Sequence, residues 1–467
     1  MSDTEGAAEN RGQWSSRWGF ILAAAGGAVG LGNIWKFPYI TGENGGGYFV
    51  LIYLLFILLI GMPIMVAEVL VGRSTQKSPV GAFKSLSSPG SLWAIPGWLG
   101  VLTGFIILSY YSVVAGWALH YTWFSMTQGF AGMNADEIGN AFGTLFEDGD
   151  ANIRWHLIFM VMTIGVILGG IQKGVERAAR ILMPVLLVML LVLLGLAITS
   201  DGFGQALEFV FKPDFTKLTA AGVLEALGHS FFTLSLGMGA MITYGSYLKK
   251  KEDMVAASGM ITILDTVIAL VACLVLFPIT FTFGLEPQAG PGLVFINLPI
   301  AFSQLAGGVF WSTLFFALLV LAALTSAISL LEVVVSTFID EFKMSRLKAT
   351  LLCGGTITLF GLPSALSGSP ESYFGSGFKE HSAFLFDGET GKNWFDTFDH
   401  LASNWFLPIG GLLIALFVAW RVGDKAREEA FTSGSRFARW YGLWLQLLRY
   451  VVPVGVIAVI LYKIGLI

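Results

Sequence analysis

Two glycine-rich interruptions inside apolar segments are the parts of this chain best suited to hold a ligand. One runs Ala28-Val29-Gly30-Leu31-Gly32-Asn33 and the other runs Thr233-Leu234-Ser235-Leu236-Gly237-Met238-Gly239. A backbone that leaves a helix inside a bilayer has carbonyl and amide groups to satisfy, and lipid offers them no partners. Such breaks are tolerated where they line a site. Together the two interruptions predict a transport site.

Close packing against a neighbouring helix is the alternative explanation for glycine in a membrane helix. It explains Gly26 and Gly27, one turn before the first break, as well as a binding role does. It explains the glycines within the breaks less well, because the polar residues Asn33, Thr233 and Ser235 lie among them. The breaks themselves therefore favour a site over simple packing.

The composition indicates a membrane protein with several spans. Of the 467 residues, 55% are hydrophobic and 12% are charged, and the mean hydropathy is +0.74. The apolar runs exceed what one water-soluble core could bury. Cys273 and Cys353 lie in apolar stretches without a second Cys or a His at metal-ligand spacing, which argues against a disulfide framework or a zinc site. The polar residues 1–13 lack the pattern of a signal peptide, so the first apolar run is predicted to be a permanent helix.

Runs of about 20 apolar residues predict eleven membrane-spanning helices. They lie near residues 15–41, 46–72, 93–126, 153–170, 178–200, 223–248, 254–284, 308–342, 346–366, 397–421 and 440–465. The breaks fall in the first and sixth spans, five spans apart, which inverts the second set of five helices relative to the first. The predicted fold is an all-α polytopic membrane protein, a 5+5 inverted repeat with broken helices 1 and 6 and a site at the membrane midplane.

Basic residues collect in alternate loops, and this pattern predicts the orientation, because short cytoplasmic loops gather Lys and Arg. The basic loops hold Arg11, Arg17, Arg73, Lys77, Lys84, Lys173, Arg177, Arg180, Lys249, Lys250, Lys251, Lys343, Arg346, Lys348, Arg421, Lys425, Arg427, Arg436 and Arg439. The opposite loops hold Asp136, Glu137, Glu147, Asp148, Asp150, Asp201, Asp214, Glu371, Asp387 and Glu389. The N-terminus is therefore predicted to be cytoplasmic and the C-terminus, after an odd number of spans, extracellular or periplasmic.

Three longer runs surround the breaks. They are Trp18-Gly19-Phe20 through Gly26-Gly27-Ala28 to Trp35-Lys36-Phe37-Pro38 with Glu43-Asn44-Gly45-Gly46-Gly47, Phe231 through Gly237 with Ser246-Tyr247, and Ala322-Ala323-Leu324-Thr325-Ser326. These runs resemble the neurotransmitter:sodium symporter family, and most of all its bacterial amino-acid branch with the LeuT-type fold and eleven helices. The resemblance extends from Arg11 to the tenth span.

The resemblance implies a sodium-coupled symporter, not an enzyme, that imports neutral hydrophobic L-amino acids, aliphatic and aromatic, by alternating access. It implies a location in the bacterial inner membrane, a monomer or homodimer, and no nucleic-acid partner. The predicted organisation is a cytoplasmic N-terminal gate segment 1–14, a first repeat 15–200, an extracellular loop 201–222, a second repeat 223–421 with a re-entrant loop near 291–305, and a cytoplasmic loop with helix 11 at 422–467.

An amino-acid substrate would meet backbone groups at the breaks and side chains on the pocket wall. A half-helix N-terminus offers free amides to a carboxylate, here those of Gly30, Leu31 and Gly32. The ammonium needs acceptors, which the carbonyls of Ala28, Phe232 and Thr233 can supply. Positions matching the family pocket wall are Ile107, Tyr111, Phe232, Ser235, Met238, Ser326, Ser329 and Leu330. None is charged, which favours a neutral substrate, and the flexible Met238 admits side chains of different size. Helix packing is the alternative role for any one of these apolar residues.

The resemblance implies two sodium sites, and sodium, as a hard cation, takes oxygen ligands. The first would use Ala28, Asn33, Thr233 and Asp265 together with the substrate carboxylate. The second would use Gly26, Val29, Ala322, Thr325 and Ser326. Interhelical hydrogen bonding, worth about 1 kcal/mol in membrane helices, is the alternative role of the two hydroxyls in the second set.

Asp265 is an ionisable residue within a span, which makes it a functional candidate. The family usually has Asn near this position, and its chloride-dependent members hold an anion nearby. Here Asp265 can provide that negative charge, while His229 replaces a family glutamine that helps to hold chloride. No chloride requirement is therefore expected, and protonation of Asp265 during the return step is a further hypothesis. Capping of a helix break is the alternative role.

Gates on both sides of the site are also implied by the resemblance. The outer gate would be Lys36, Asp399, Tyr111 and Phe232, with Lys36 in place of the family's usual Arg and without its bidentate geometry. The inner gate would be Arg11, Trp14, Ser246, Tyr247 and Asp340. Glu68 would support the breaks through their free amides, and Gly174 and Pro184 match a motif that lets the start of the fifth span unwind.

Three alternatives stay open at this stage. A proton-coupled amino-acid transporter of the same fold is disfavoured by the sodium-ligand positions. A non-transporting substrate sensor would usually carry a signalling domain. A membrane enzyme would need clustered polar groups, whereas the histidines His120, His156, His229, His381 and His400 are scattered. The sequence leaves the roles of Glu332 and of the polar loop 367–393 open.

Overall fold

The computed structural model describes residues 12–287, 292–385, 391–463 and 466. Within these residues the chain is helical and without strands, as predicted. The helices in chain order are α1 Arg17–Ala28, α2 Gly32–Glu43, α3 Gly47–Thr75, α4 Pro79–Ser85, α5 Leu92–Met126, α6 Ala135–Glu147, α7 Gly149–Leu168, α8 Ile171–Ile198, α9 Phe203–Phe211, α10 Ala220–Thr233, α11 Ala240–Ser246, α12 Met254–Thr282, α13 Leu293–Ser303, α14 Gly308–Phe342, α15 Arg346–Ala365, α16 Phe378–Ser382, α17 Trp394–Arg421, α18 Asp424–Thr432 and α19 Ala438–Tyr462.

Eight of the described helices are long and apolar enough to cross a membrane: α3, α5, α7, α8, α12, α14, α17 and α19. The pair α1 and α2, bent by 48° at its break, counts as a ninth span. The pair α10 and α11 occupies the predicted sixth span and α15 the ninth, but neither passes the same test of length and composition. The fold class is confirmed, whereas the count of eleven spans stays a prediction.

Side-chain caps begin eight of the nineteen described helices, namely α1, α5, α6, α7, α10, α12, α15 and α17. The Ser16 hydroxyl accepts a hydrogen bond from the Gly19 amide at the start of α1, and Asn134 with Glu137 forms a capping box at the start of α6. Such caps satisfy amides that the first helical turn leaves unpaired. One boundary differs from expectation: the fifth span begins at Ile171, not near 178, because a π-helical turn Ile171–Glu176 precedes its α-helical part.

Both predicted breaks are present. The helix α1 ends at Ala28, and Val29 is extended, with φ −69° and ψ 106°. In the second break Ser235, Gly237 and Gly239 all have positive φ, of 53°, 80° and 75°. Left-handed backbone is accessible to glycine without a steric cost, so the glycines allow the chain to leave the helical conformation between α10 and α11.

The helices α5 and α14 form the centre of the molecule and pack against each other. Of the most apolar stretch of each, 83% is buried, compared with 28% for α8 at the periphery. The buried His156 of α7 joins this centre to α15, since its Nδ1 lies 2.9 Å from the Ser112 hydroxyl and its Nε2 lies 3.0 Å from the Thr358 carbonyl oxygen. The centre is thus a rigid support beside the two breaks.

Candidate substrate and sodium sites

The amides of the first break face α5 and α14. The Leu31 amide donates to the Tyr111 hydroxyl, with 3.1 Å between the two atoms. A methyl group on Gly30 would lie 2.2 Å from the Ser326 hydroxyl and 2.8 Å from that of Tyr111. Glycine at this position therefore lets the first break approach Tyr111 and Ser326 more closely than any side chain would allow. The Tyr111 hydroxyl is a donor that can hydrogen-bond a carboxylate.

Of the predicted wall residues, Tyr111 and Ser326 lie against Gly30. The wall residues that are buried in the structure are Ile107, Tyr111, Ser235, Met238, Ser326, Ser329 and Leu330. Two of the three serines are engaged by backbone groups: the Ser235 hydroxyl donates to the Gly27 carbonyl at 2.9 Å and the Ser329 hydroxyl to the Ser326 carbonyl at 2.8 Å. The side chains of Ile107, Met238 and Leu330 are apolar and buried.

The second predicted sodium site is a cluster of oxygen atoms between α1 and α14. The Thr325 hydroxyl lies 3.4 Å from the Val29 carbonyl oxygen and 2.9 Å from that of Ala322. The Ser326 hydroxyl lies 3.4 Å from the carbonyl oxygens of both Gly26 and Val29. Ordinary hydroxyl hydrogen bonds are shorter, about 2.7 to 2.8 Å. A separation of about 3.4 Å is what neighbouring ligands of a cation show when each binds it at about 2.4 Å, so Gly26, Val29, Thr325 and Ser326 fit sodium. The 2.9 Å between Thr325 and the Ala322 carbonyl is an ordinary hydrogen bond within α14.

The first predicted sodium site brings Asn33, Thr233 and Asp265 together. The Asn33 amide nitrogen donates to an Asp265 carboxylate oxygen at 2.7 Å and to the Thr233 hydroxyl at 3.1 Å. The Asn33 amide oxygen instead accepts from the Gly30 amide at 2.9 Å. A cation at this site would take oxygen ligands, so the Asn33 amide oxygen, and not its nitrogen, would have to face it. Ala28, the remaining predicted ligand, is buried at the end of α1.

His229, the residue predicted to replace a chloride-holding glutamine, is buried among aromatic rings. Its ring stacks on Phe37 at 5.5 Å between centroids and lies 5.7 Å from the ring of Tyr53. Neither of its nitrogens has a hydrogen-bond partner within the described part of the chain.

The outer-gate residues are in contact. The Lys36 ammonium lies 3.4 Å from the Asp399 carboxylate and 4.7 Å from the centre of the Phe232 ring. The Ser403 hydroxyl, one helical turn after Asp399, donates to the same carboxylate at 3.0 Å. Sequence reasoning missed Ser403, although its spacing of four residues from Asp399 on a helix was a usable signal.

The inner gate is formed by the segment before α1 and by α11. The Trp14 indole nitrogen donates to the Tyr244 carbonyl at 2.9 Å, and the Trp14 amide donates to the Tyr247 carbonyl at 3.2 Å. Asp340 accepts a hydrogen bond from the Ser78 amide at 2.7 Å. The Ser246 hydroxyl bonds within its own helix. Arg11 lies outside the described residues, so its pairing with Asp340 stays a prediction.

The support residues are placed at the second break and at the start of α8. One Glu68 carboxylate oxygen accepts a hydrogen bond from the Gly237 amide at 2.7 Å, deep within the protein. A methyl group on Gly174 would lie 2.1 Å from the Val166 carbonyl oxygen, so the first turn of α8 sits tightly on the end of α7. In this structure that turn is wound as a π helix, and Pro184 lies inside the α-helical part.

Comparison with known proteins decides the family. A family model described as the Sodium:neurotransmitter symporter family matches residues 11–142 and 145–466. The chain belongs to this family.

Several relatives of this symporter are similar over their whole length. An uncharacterized sodium-dependent transporter, YhdH, from Bacillus subtilis is 37% identical over 97% of this chain and 98% of its own. A second uncharacterized sodium-dependent transporter, from Haemophilus influenzae, is 34% identical over 97% and 98% of the two chains. The solved structure of MhsT in complex with L-phenylalanine has 42% identity and a TM-score of 0.87, over 97% of this chain and 99% of that one. The LeuT-type fold is thereby confirmed, and the protein is a sodium-dependent transporter of this family.

Glu332, to which the sequence assigned no role, holds an ion pair next to the inner gate of this symporter. Its carboxylate accepts two hydrogen bonds from the Arg346 guanidinium, at 2.8 and 2.9 Å, and one from the Tyr247 hydroxyl at 2.7 Å. A buried carboxylate is stable when such donors surround it. Arg346 had served as an orientation signal only, so nothing in the sequence linked it to a residue 14 positions earlier.

Removal of one hydroxyl from the predicted second sodium site is expected to lower the apparent affinity of this symporter for sodium. In Thr325→Val the side-chain volume is kept and one oxygen ligand is lost, so the sodium concentration for half-maximal uptake should rise about tenfold or more. Uptake measured against sodium concentration in proteoliposomes checks this. Thr325→Ser, which keeps the hydroxyl, and Thr356→Val, a lipid-facing threonine of α15, should both retain the wild-type dependence. An unchanged midpoint in Thr325→Val would remove this residue from the site.

Proposed function

We propose that the protein imports neutral, hydrophobic L-amino acids, aliphatic and aromatic, in symport with sodium. The observation that supports this most is the close approach at Gly30, where the Leu31 amide and the Tyr111 hydroxyl can hold a carboxylate while the buried Ile107, Met238 and Leu330 would provide an uncharged wall. A zwitterion with an apolar side chain matches both halves of such a pocket. The solved relative in complex with L-phenylalanine agrees with this substrate class.

Two sodium ions are proposed, at the two oxygen clusters described above. When bound, they would add positive charge where the substrate carboxylate and Asp265 are negative. Transport without chloride is proposed because the Asp265 carboxylate, fully buried and hydrogen-bonded to Asn33 and Thr233, already supplies an anion beside the first site. A fixed anion of this kind makes a mobile one unnecessary for charge balance.

Alternating access is proposed to use the two gates in turn. Separation of Lys36 from Asp399 would open the site outward, and departure of Trp14 from Tyr244 and Tyr247 would open it inward. Each gate depends on a small number of polar contacts, which break at modest cost once water reaches them. We place the Trp14 end of the molecule in the cytoplasm and the Lys36 end outside, following the basic loops.

Uptake of labelled leucine, tryptophan, alanine and glycine into proteoliposomes under an inward sodium gradient tests this proposal. Sodium-dependent accumulation of the larger neutral amino acids, undiminished when gluconate replaces chloride, is the expected result. Accumulation driven by a proton gradient without sodium would favour proton coupling, and binding without accumulation would favour a sensor. Either outcome contradicts the proposal.

The width of the pocket should depend on Met238. In Met238→Phe a rigid ring replaces a flexible chain, so uptake of tryptophan should fall about tenfold or more relative to uptake of valine. Competition between the two labelled substrates in proteoliposomes measures the ratio directly. Met260→Phe, a half-exposed methionine on α12 with 39% of its surface accessible, is the matched control and should leave the ratio unchanged. An equal loss of both substrates in Met238→Phe would show general damage in place of a narrower pocket.

A further inference from the structure

A buried carboxylate connects the start of α8 to the segment before α1. The Glu176 side chain is 2% exposed. The Ser15 amide donates to one of its oxygens at 2.9 Å and the Ser15 hydroxyl donates to the other at 2.5 Å. The Arg180 guanidinium donates to the same carboxylate at 2.7 Å and to the hydroxyls of Ser15 and Ser16 at 2.6 and 3.0 Å.

The contact needs glycine on the side of α1. A methyl group on Gly19 would lie 2.0 Å from a Glu176 carboxylate oxygen, so any larger residue there would push the carboxylate away. The carboxylate also lies at the N-terminal end of α1, where the helix dipole favours a negative charge. Charge, hydrogen bonds and shape therefore all fit Glu176 to this end of α1.

The helical turn that carries Glu176 is hydrogen-bonded to the segment before α1 at both of its ends. It is the π-helical turn Ile171–Glu176, which follows Gly170 with φ 74°, and π turns are rare and weakly held. The Gln172 amide nitrogen donates to the Gln13 carbonyl at 2.8 Å. Residues 13–15 thus pair with both ends of this turn. Farther along α8, Met183 packs closely on Gly26, a predicted sodium ligand. A methyl group added to Gly26 would lie 3.1 Å from the Met183 sulfur.

We propose that Glu176 is a positioning residue that makes release of the N-terminal segment and unwinding of the first turn of α8 a single event. This rests on the proposed alternating access. If either partner leaves alone, a buried carboxylate loses donors that it needs. If both leave together, carboxylate, Ser15 and Arg180 all reach water. The inner end of α1 and the start of α8 therefore open and close together, and sodium bound at Gly26 and Val29 holds both closed.

Hydrogen exchange of the full-length protein in nanodiscs, measured by mass spectrometry without amino acid, tests the coupling. Sodium replaces potassium stepwise, and amide protection is followed in peptides covering 12–28 and 169–180. In the wild type the two regions should become protected with the same sodium midpoint. In Glu176→Gln the two midpoints should separate by about threefold or more, since sodium then acts on α1 without acting on α8. Gly19→Ala, which displaces the carboxylate from the opposite side, should give the same separation.

Lys173→Gln is the matched control, because Lys173 lies exposed on the same turn and should leave the midpoints equal. Coincident midpoints in Glu176→Gln and Gly19→Ala overturn the proposal, as do midpoints that separate equally in Lys173→Gln. A uniform rise of exchange in both regions with equal midpoints indicates a merely structural residue and also overturns it. If Glu176→Gln fails to fold, Ser15→Ala removes one donor and carries the same expectation. The experiment does not measure uptake. Its result therefore tests the coupling even if the proposed substrate class is wrong.

Discussion

Asp265→Ala is expected to reduce sodium-driven uptake by about a hundredfold or more. The carboxylate is fully buried and is hydrogen-bonded by Asn33 at 2.7 Å and by Thr233 at 3.0 Å. With a sodium ion bound at the proposed first site, loss of the Asp265 charge would leave that ion as an uncompensated buried charge, which costs about 3 kcal/mol or more, and each 1.4 kcal/mol is about a tenfold change in affinity. Because the lost partner is the proposed anion of the first sodium site, the loss should appear in the sodium dependence of uptake.

The measurement is initial uptake of leucine against sodium concentration in proteoliposomes, with and without chloride. Ile263→Ala is a control on the same helix, where the isoleucine is 59% exposed on the lipid side, and it should behave as the wild type. Asp265→Asn keeps the shape without the charge, and any uptake it retains should depend on chloride, since a mobile anion can then replace the fixed one. Wild-type sodium dependence in Asp265→Ala would contradict the proposed first site.

Gly237→Ala should have the largest effect on stability. At this position φ is 80°, and a methyl group would lie 2.2 Å from the Leu407 carbonyl oxygen of α17. The obstacle is backbone, so it cannot move aside as a side chain could. Strain and steric overlap together should cost about 3 kcal/mol or more, and because the Gly237 amide also bonds to Glu68, the second break should lose its shape.

Thermal unfolding in detergent, followed by the tryptophan fluorescence, gives the size of this effect. The midpoint of Gly237→Ala should fall by several degrees or more, and binding of labelled leucine should be lost. Gly195→Ala is the matched control, since Gly195 lies on the exposed side of α8 with no atom within 4 Å of a new methyl group. That variant should be neutral or slightly more stable, because alanine favours helix. A normal midpoint in Gly237→Ala would mean that the break tolerates a side chain.

The two helix breaks could be predicted from the sequence because they depend on the residues within the break itself. Glycine and polar residues in an otherwise apolar run identify backbone that leaves the helix, and the structure ends α1 at Ala28 and α10 at Thr233, within the predicted runs. The five proposed ligands of the second sodium site were predicted from the resemblance, and the structure brings the hydroxyls of Thr325 and Ser326 to the carbonyls of the first break. Local pattern and family motif together were sufficient for the architecture.

What the sequence did not provide depends on orientation and on distant partners. Composition cannot tell which end of the Asn33 amide faces Asp265, because nitrogen and oxygen are interchangeable in shape. Glu332 of α14 pairs with Arg346 at the start of α15. In the sequence Arg346 counted only as one of the basic residues that predict orientation, and nothing indicated that it pairs with a buried carboxylate. The residues of the π-helical turn Ile171–Glu176 show no sequence pattern that distinguishes it from an α-helical turn. Each of these features is set by tertiary packing.

The unequal burial of the helices means that some of them are surrounded by protein and others by lipid. The paired α5 and α14 have protein on nearly all sides, whereas 28% of the most apolar stretch of α8 is buried and the rest, including Val188 and Leu191, meets acyl chains. Acyl-chain length and order therefore act on α8 directly and on the central pair only through the helices around it. The transport rate of this protein should therefore differ between thick and thin membranes.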